Sequence, residues 1–100
     1  MTFVEFLDFV KGFGYETIEI SAHKDSHHLD IIEIISGGAK KINKEVSARS
    51  LSISALSNHF EGMLVMGPLD ESTDAWSLLP DAESKIKFGT ERMIKTAQAA

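Results

Sequence analysis

Histidines and carboxylates must carry any chemistry in this 100-residue chain, because the sequence has four histidines and no cysteine. The absence of cysteine excludes a disulfide framework, a thiolate metal site and a thiolate nucleophile. His23 follows one strand-like run, and Asn58 and His59 follow a second. Imidazole can ligate metal, transfer a proton or hydrogen-bond a sugar hydroxyl, and an amide both donates and accepts. We predict that His23, Asn58 and His59 contribute to a binding site, with an inert surface histidine as the alternative.

Glu19 is a fourth candidate, and it lies in the middle of the first strand-like run. In a barrel this carboxylate would point inward, where it must be paired or protonated. It is then either a functional group or the partner of a distant lysine or arginine. The partner role is the favoured interpretation, since active sites in such barrels collect at the carboxyl ends of strands.

Several other polar or aromatic residues carry weaker signals. The adjacent His27 and His28 are expected to face apart and to be solvated or to cap a helix. Four acidic residues of the later chain could bind a divalent cation, although an acidic surface loop is the commoner outcome, and Trp76 suits a lid or a packing role. No HExxH motif, glycine-rich phosphate loop or paired-histidine spacing is present, so the chain has no stand-alone catalytic signature. The four acidic residues are Glu61, Asp70, Glu71 and Asp74.

The elements that would position these residues are two helix–strand units. Thr2 and Glu5 form a capping box that predicts a helix over residues 3–12. Alternation of apolar and polar residues predicts strands over 17–22 and 51–56, with Ala55 on the apolar face of the second strand. Between the strands, a helix is expected over residues 29–36, where a strand is the alternative, and a second helix after Gly37-Gly38.

The last part of the sequence divides into a connection and a helix. Residues 57–79 show no clear periodicity and predict a long loop of the functional kind. Pro80 and Asp81 open a final helix that runs to Ala100, with Asp81 as N-cap or first-turn acid.

This order of elements predicts an α/β fold with parallel strands joined by right-handed crossovers. Two parallel strands alone would leave backbone groups unpaired at both edges. We therefore expect residues 1–100 to form a single incomplete segment of a (β/α)8 TIM barrel, with about two parallel strands and three to four helices. A short domain that pairs strand edges across a dimer axis is the alternative.

Composition restricts the class of protein further. The formal net charge is −5, and basic residues are concentrated only at the pair Lys40-Lys41, which argues against a nucleic-acid partner. No stretch approaches the roughly 18 apolar residues of a membrane span, and the N-terminus lacks the pattern of a signal peptide. We expect a cytoplasmic protein without a membrane partner.

Four segments together carry a family resemblance. They are GYETIEISAH (14–23), LSISALSNHFEG (51–62), DESTDAW (70–76) and GTERMIKTAQAA (89–100). In this order they resemble the sugar phosphate isomerase/epimerase family, whose members have a xylose isomerase-like TIM barrel. Two departures stand out: no strand precedes Met1 to serve as the first barrel strand, and Ser50 occupies a helix-to-strand turn where the family usually has glycine.

The resemblance implies an isomerase or epimerase that acts on a sugar through proton transfer, with manganese, magnesium or zinc as cofactor. It implies substrate-pocket positions for His23, Asn58 and His59, and it matches Glu19 to an in-strand acid. The metal ligands and the acid–base pair that it implies match no residue of this sequence, so the catalytic residues stay unknown and the chain alone is expected to be inactive.

Two other functions remain open at this point. One is a metal-dependent hydrolase or lyase on the same barrel, because fold does not fix function. The other is a non-catalytic module that dimerises through strand edges. The expected partners are a small sugar, and either a second copy of the chain or the remainder of a barrel.

Overall fold

The computed structural model describes residues 1–100, and it shows a mixed α/β chain with two parallel strands. The element order confirms the predicted alternation up to the second strand, and three helices follow it, so the whole chain has more helical segments than the expected three to four. The elements are α1 (Phe3–Gly12), β1 (Thr17–Ser21), α2 (Ile31–Glu33), a π-helical turn (Ile34–Gly38), α3 (Ala39–Ala48), β2 (Ser52–Ser57), α4 (His59–Met66), α5 (Glu71–Ser77) and α6 (Ala82–Ala99).

Helix α1 has the bounds that its capping box predicts. The Thr2 hydroxyl accepts from the Glu5 N–H at 3.2 Å, and the Glu5 carboxylate accepts from the Thr2 N–H at 2.6 Å. These two bonds satisfy donors that a helix start leaves without partners. The apolar stripe turns Leu7 fully into the core, so the helix covers one face of the sheet.

Strands β1 and β2 pair in parallel, and a bulge changes the side-chain pattern of β2. Ile18 lies opposite Ile53, whereas Ile20 lies opposite Leu56, so Ser54 is the extra residue. An unpaired residue resets the alternation of faces. Leu56 therefore joins Ile53 on the core face and Ala55 turns to the open face, opposite Glu19. The expectation of an uninterrupted apolar face through Ala55 was wrong for this reason.

The crossover from β1 to β2 is helical, as expected, but it is not a pair of ordinary helices. Asp30 caps α2 by accepting from the Ile32 N–H at 2.8 Å. After three residues the helix widens into the π-helical turn, where Gly37 has a φ of 116° that suits glycine. Ser50, at the turn into β2, has a φ of 54° in the left-handed region. The turn where the resemblance implies glycine thus holds a serine in a backbone conformation that favours glycine.

Residues 57–79 are not the predicted loop, because two helices occupy most of this range. Asn58 caps α4 and Asp70 caps α5, each by accepting from a backbone N–H of the first turn. Apolar residues lie on all sides of HFEGMLVM, so α4 lacks the stripe that identifies a surface helix. Asp81 caps α6 as predicted, by accepting from the Ser84 N–H at 2.7 Å.

The main core lies between the sheet and the helices of residues 1–51. Eight buried side chains form it: Leu7, Ile18, Ile20, Ala22, Leu29, Ile31, Val46 and Leu51. We call residues 1–58 the sheet half and residues 59–100 the helical half. In the helical half α6 packs closely on α4, where Gly89 approaches the Glu61 backbone. No helix has the length and apolar character needed to cross a membrane.

Candidate functional site

The carboxyl ends of β1 and β2 lie side by side and bring the segments after them together. The Ala22 N–H donates to the Ser57 carbonyl at 2.8 Å, which extends the pairing one residue past β1. His23 then leaves one strand while Asn58 and His59 leave the other. The expectation that these residues start from one edge of the sheet agrees with this arrangement, although their side chains take different directions.

A contiguous row of three rings is the most distinctive feature at this edge. The His23 ring lies edge-on against Phe60, with ring centroids 4.8 Å apart. Phe60 in turn lies edge-on against Trp76 of α5, at 5.5 Å. His23 and Trp76 are half-buried, while Phe60 is 46% exposed. The row therefore combines an imidazole with two aromatic surfaces that solutes can reach.

An open hollow of about 430 Å³ runs along this row. Its walls come from the β1–α2 loop, from α4, from the end of α5 and from α6. We call it the aromatic hollow, and its lining residues are His23, Lys24, Asp25, Phe60, Glu61, Trp76, Ser77, Leu78, Leu79 and Phe88.

A buried ion pair supports the hollow from below. Glu61 is 1% exposed, and its Oε1 accepts from Arg92 Nε at 2.9 Å and from the Lys24 N–H at 2.7 Å. Arg92 also donates from Nη2 to the Ala22 carbonyl at 3.1 Å. Because a buried charge needs such partners, this network fixes the β1–α2 loop against α4 and α6. The predicted cation-ligand role of Glu61 is replaced by this pairing with Arg92.

Asn58 lies under the site and is occupied by structural bonds. Its Oδ1 accepts from the Glu61 N–H at 3.3 Å, and its Nδ2 donates to the Thr96 hydroxyl at 2.9 Å. The side chain is buried, so it joins the start of α4 to α6. It does not line the aromatic hollow.

His59 and Glu19 lie away from the aromatic row. His59, the first residue of α4, is exposed and does not line the hollow. Glu19 is exposed on the open face of the sheet and lines a second hollow together with His23, His27 and His28. Of the four predicted site residues, only His23 lines the aromatic hollow. It shares the second hollow with Glu19, whereas Asn58 and His59 line neither.

His27 and His28 do not behave as two solvated histidines. The His28 ring stacks on Phe6 at a centroid distance of 5.1 Å, and its Nδ1 is buried without a hydrogen-bond partner. His27 lies edge-on against it at 4.6 Å and donates from Nε2 to the Met1 carbonyl at 2.8 Å. Burial, followed by the charges of His27 and the N-terminal amine, lowers the pKa of His28.

The acidic residues after Gly67 serve as caps and ion-pair partners. Hydrogen bonds from the Ser72 hydroxyl and N–H hold the pKa of Asp70 below its usual range. Asp74 pairs with the buried ammonium of Lys85, which also donates to the Thr73 hydroxyl at 3.3 Å. No three His, Asp or Glu side chains gather in a group that could hold a metal ion.

Two residues of the site escaped the sequence-based prediction. Phe60 is next to His59 and was hidden inside a segment expected to be a loop, and Arg92 lies in a helix without any motif. The detectable signal was the N-cap residue Asn58, which places Phe60 in the first turn of a helix. The Glu61–Arg92 pairing depends on how α6 packs on α4, which no local pattern reports.

No protein-family model matches the chain. A search of curated proteins likewise found no match.

Proposed function

We propose that this chain forms part of the substrate-binding mouth of a (β/α)8-barrel sugar isomerase or epimerase. The observation that supports the proposal best is the row His23–Phe60–Trp76 at the carboxyl ends of two parallel strands. Active sites of such barrels are built from the segments that follow those ends. The family resemblance of four sequence segments points to the same class of enzyme.

Each residue of the row has a role in this proposal. The exposed surfaces of Phe60 and Trp76 cover the C–H face of a sugar ring, because aromatic side chains bury apolar area with little loss of conformational freedom. His23 hydrogen-bonds a hydroxyl group. The Glu61–Arg92 pair acts as a positioning group, since it holds the loop that carries His23.

In this proposal the chemical step is carried out by groups other than the aromatic row and the Glu61–Arg92 pair. Isomerisation or epimerisation needs an acid and a base placed about the reacting carbon. Neither a metal-ligand group nor a free carboxylate pair lies in the aromatic hollow. We therefore expect the 100-residue chain to bind a sugar without turning it over.

Trp76 allows a direct binding test, because it is the only tryptophan in the sequence. We expect monosaccharides or their phosphate esters to cause a saturable change in tryptophan fluorescence. The variant His23→Ala should weaken this binding at least several-fold. The matched control His59→Ala should bind as the parent does, because His59 lies outside the hollow.

Two outcomes would count against the proposal. One is the absence of a saturable signal for every aldose, ketose and sugar phosphate tried, with circular dichroism showing a folded chain. The other is an equal loss of binding in the His23→Ala and His59→Ala variants. Turnover of a sugar by this chain with added Mn²⁺ would overturn the assignment of the chemistry to other groups.

A further inference from the structure

The free edge of β2 lies in an uncharged surface of the molecule. The sheet has only two strands, so one side of β2 carries backbone groups without strand partners. A groove of about 430 Å³ runs along this edge between α3 and the end of α6. No Asp, Glu, Lys, Arg or His side chain lines it. Its walls include Ile42, Val46, Ile53 and Leu56.

The free edge of β1 differs in charge and in access. Glu19 projects from it, and the hollow beside it is lined by Asp25, His27 and His28. The loop after β1 also folds back, where the Ser26 hydroxyl donates to the Ser21 carbonyl at 2.6 Å. A charged and partly covered edge resists strand addition, whereas an uncharged open edge permits it.

The sequence of β2 is self-complementary in an antiparallel arrangement. A two-fold axis between Ser54 and Ala55 would place Ile53 opposite Leu56 of the second copy and Ser52 opposite Ser57. The bulge puts Ile53 and Leu56 on the same core face, so both apolar pairs would form on that face. No like charges would lie opposite each other, which is the arrangement that destabilises cross-strand pairs.

The backbone hydrogen bonds fit the same arrangement. The Ser52 N–H and the Ser57 carbonyl both face β1, since they bond Glu16 and Ala22. Backbone direction alternates along a strand. Ile53 and Leu56 therefore direct their N–H and C=O groups to the free edge, where an antiparallel partner strand exchanges both bonds.

We infer that two copies of this chain associate through β2, forming a four-stranded sheet in which the two β2 strands pair antiparallel about an axis between Ser54 and Ala55. The inference rests on the β2 edge and not on the proposed sugar site. In a complete (β/α)8 barrel the next strand would pair along this same edge, so the dimer is inferred for the 100-residue chain by itself. A strand from outside this chain is the competing occupant, and it would leave the isolated chain monomeric.

Cysteine cross-linking tests both the association and its register, because the natural chain has no cysteine. Ser52 and Ser57 would form a non-hydrogen-bonded pair, whose Cα atoms are about 4.5 Å apart and within disulfide range. A mixture of Ser52→Cys and Ser57→Cys chains should form a covalent dimer under mild oxidation. The matched control mixture is Thr17→Cys with Ser21→Cys, at the equivalent exposed positions of β1, and it should cross-link at least several-fold less.

Sedimentation of the unmodified chain supplies the second measurement. A discrete, reversible dimer together with selective cross-linking of the β2 mixture supports the inference. A monomer at all accessible concentrations, an indiscriminate aggregate, or equal cross-linking of the β1 and β2 mixtures would overturn it.

Discussion

At the scale of single residues, the pair Glu61–Arg92 is the most consequential interaction of the chain. Both side chains are nearly buried, and Arg92 also donates a hydrogen bond to the Ala22 carbonyl. Loss of one partner leaves the other charge buried without compensation, which typically costs about 3–5 kcal/mol. Loss of both partners removes that penalty. Each side chain of the pair is therefore needed mainly because the other is buried, and the net contribution of the pair to the free energy of unfolding is smaller than the cost of losing one partner.

We expect Arg92→Met to lower the free energy of unfolding by about 3–5 kcal/mol, and Glu61→Met combined with Arg92→Met to lower it by clearly less. Urea denaturation followed by circular dichroism measures both. The control Asp8→Asn removes an exposed negative charge beside Arg49 and should change the urea midpoint little. If the double variant loses at least as much stability as Arg92→Met alone, the penalty of the unpaired Glu61 carboxylate is absent and the pair is not coupled.

His28 gives the chain a specific pH dependence. Its folded-state pKa is lowered from 6.5, so the unfolded state takes up a proton more readily than the folded state. Stability is then unaffected by this group well above pH 6.5 and falls as the pH drops through 6.5 toward the folded-state pKa. We expect the urea midpoint to decrease between pH 7.5 and pH 5.5.

The variant His28→Phe separates this effect from other titrations. It keeps the stack on Phe6 and cannot be protonated, so its urea midpoint should decrease less over the same pH range. His59→Gln, which removes an exposed histidine, should show the parent's dependence. An identical pH slope in the parent and in His28→Phe would contradict the assignment.

At the scale of elements, the turn into β2 holds a serine in a left-handed backbone conformation that costs conformational energy. Ser50 adopts a φ of 54° and is exposed, so glycine there would relieve the left-handed conformation without loss of buried area. The relief of about 1–2 kcal/mol is partly offset by the flexibility of glycine in the unfolded chain. We expect Ser50→Gly to raise the free energy of unfolding by about 0.5 kcal/mol.

The control for this change is Ser47→Gly, which places glycine in the exposed face of α3 and should lower stability by about 0.5 kcal/mol. Urea denaturation distinguishes the two signs. Destabilisation of similar size in both variants would show that the turn at Ser50 carries no relievable strain.

At the contact between α4 and α6 a glycine is required, so its replacement should lower the free energy of unfolding. A Cβ on Gly89 would lie 2.8 Å from both the Glu61 carbonyl oxygen and the Leu64 Cβ. We expect Gly89→Ala to force the helices apart and to cost about 1–3 kcal/mol. Gly12→Ala, with no neighbour within 4 Å, should be neutral or slightly stabilising. Thermal unfolding measures both, and a neutral Gly89→Ala would mean that α6 does not pack at this distance.

Local signals predicted the elements of this chain far better than the contacts between them. The capping box at Thr2 correctly predicted α1, and the alternation in TIEIS correctly predicted β1. Both signals lie in residues close together in the sequence. Helix α4 lacked an apolar stripe and was mistaken for a loop. The bulge at Ser54 depends on pairing with β1, and the Glu61–Arg92 pair depends on α6. Neither the bulge nor the ion pair can be detected in the local sequence, and the same holds for the bond from Asn58 to Thr96 of α6.

At the scale of the whole molecule, the chain is extended and its two halves differ in packing. Its extents are 44 × 27 × 19 Å, and its radius of gyration of 15.3 Å exceeds the roughly 13 Å typical of a compact chain of this length. All eight residues of the main core belong to the sheet half. In α5 the only buried residue is Thr73. Such a segment opens at low free-energy cost.

Hydrogen exchange should reveal this gradient. We expect the amides of α5 to exchange fastest among the longer helices and those of β1 to exchange slowest. Lys85→Met removes the bonds to Thr73 and Asp74 and should accelerate exchange in α5 while leaving α1 unchanged. Equal protection of α5 and β1 would contradict the proposed difference between the halves.

The bulge in β2 has a consequence for how the strand tolerates a change in length. Removal of Ser54 would restore strict alternation and leave five residues to face the five of β1. Ile53 and Leu56 would then be two positions apart. Both side chains would still face the core, so the deletion would leave the core residues of β2 unchanged. Deletion of Ala55 would have the same effect, because it also leaves one residue between Ile53 and Leu56, whereas deletion of a residue outside this pair would change the spacing of the core-facing positions. Ser54 and Ala55 are thus the positions at which this strand can shorten while Ile53 and Leu56 both stay in the core.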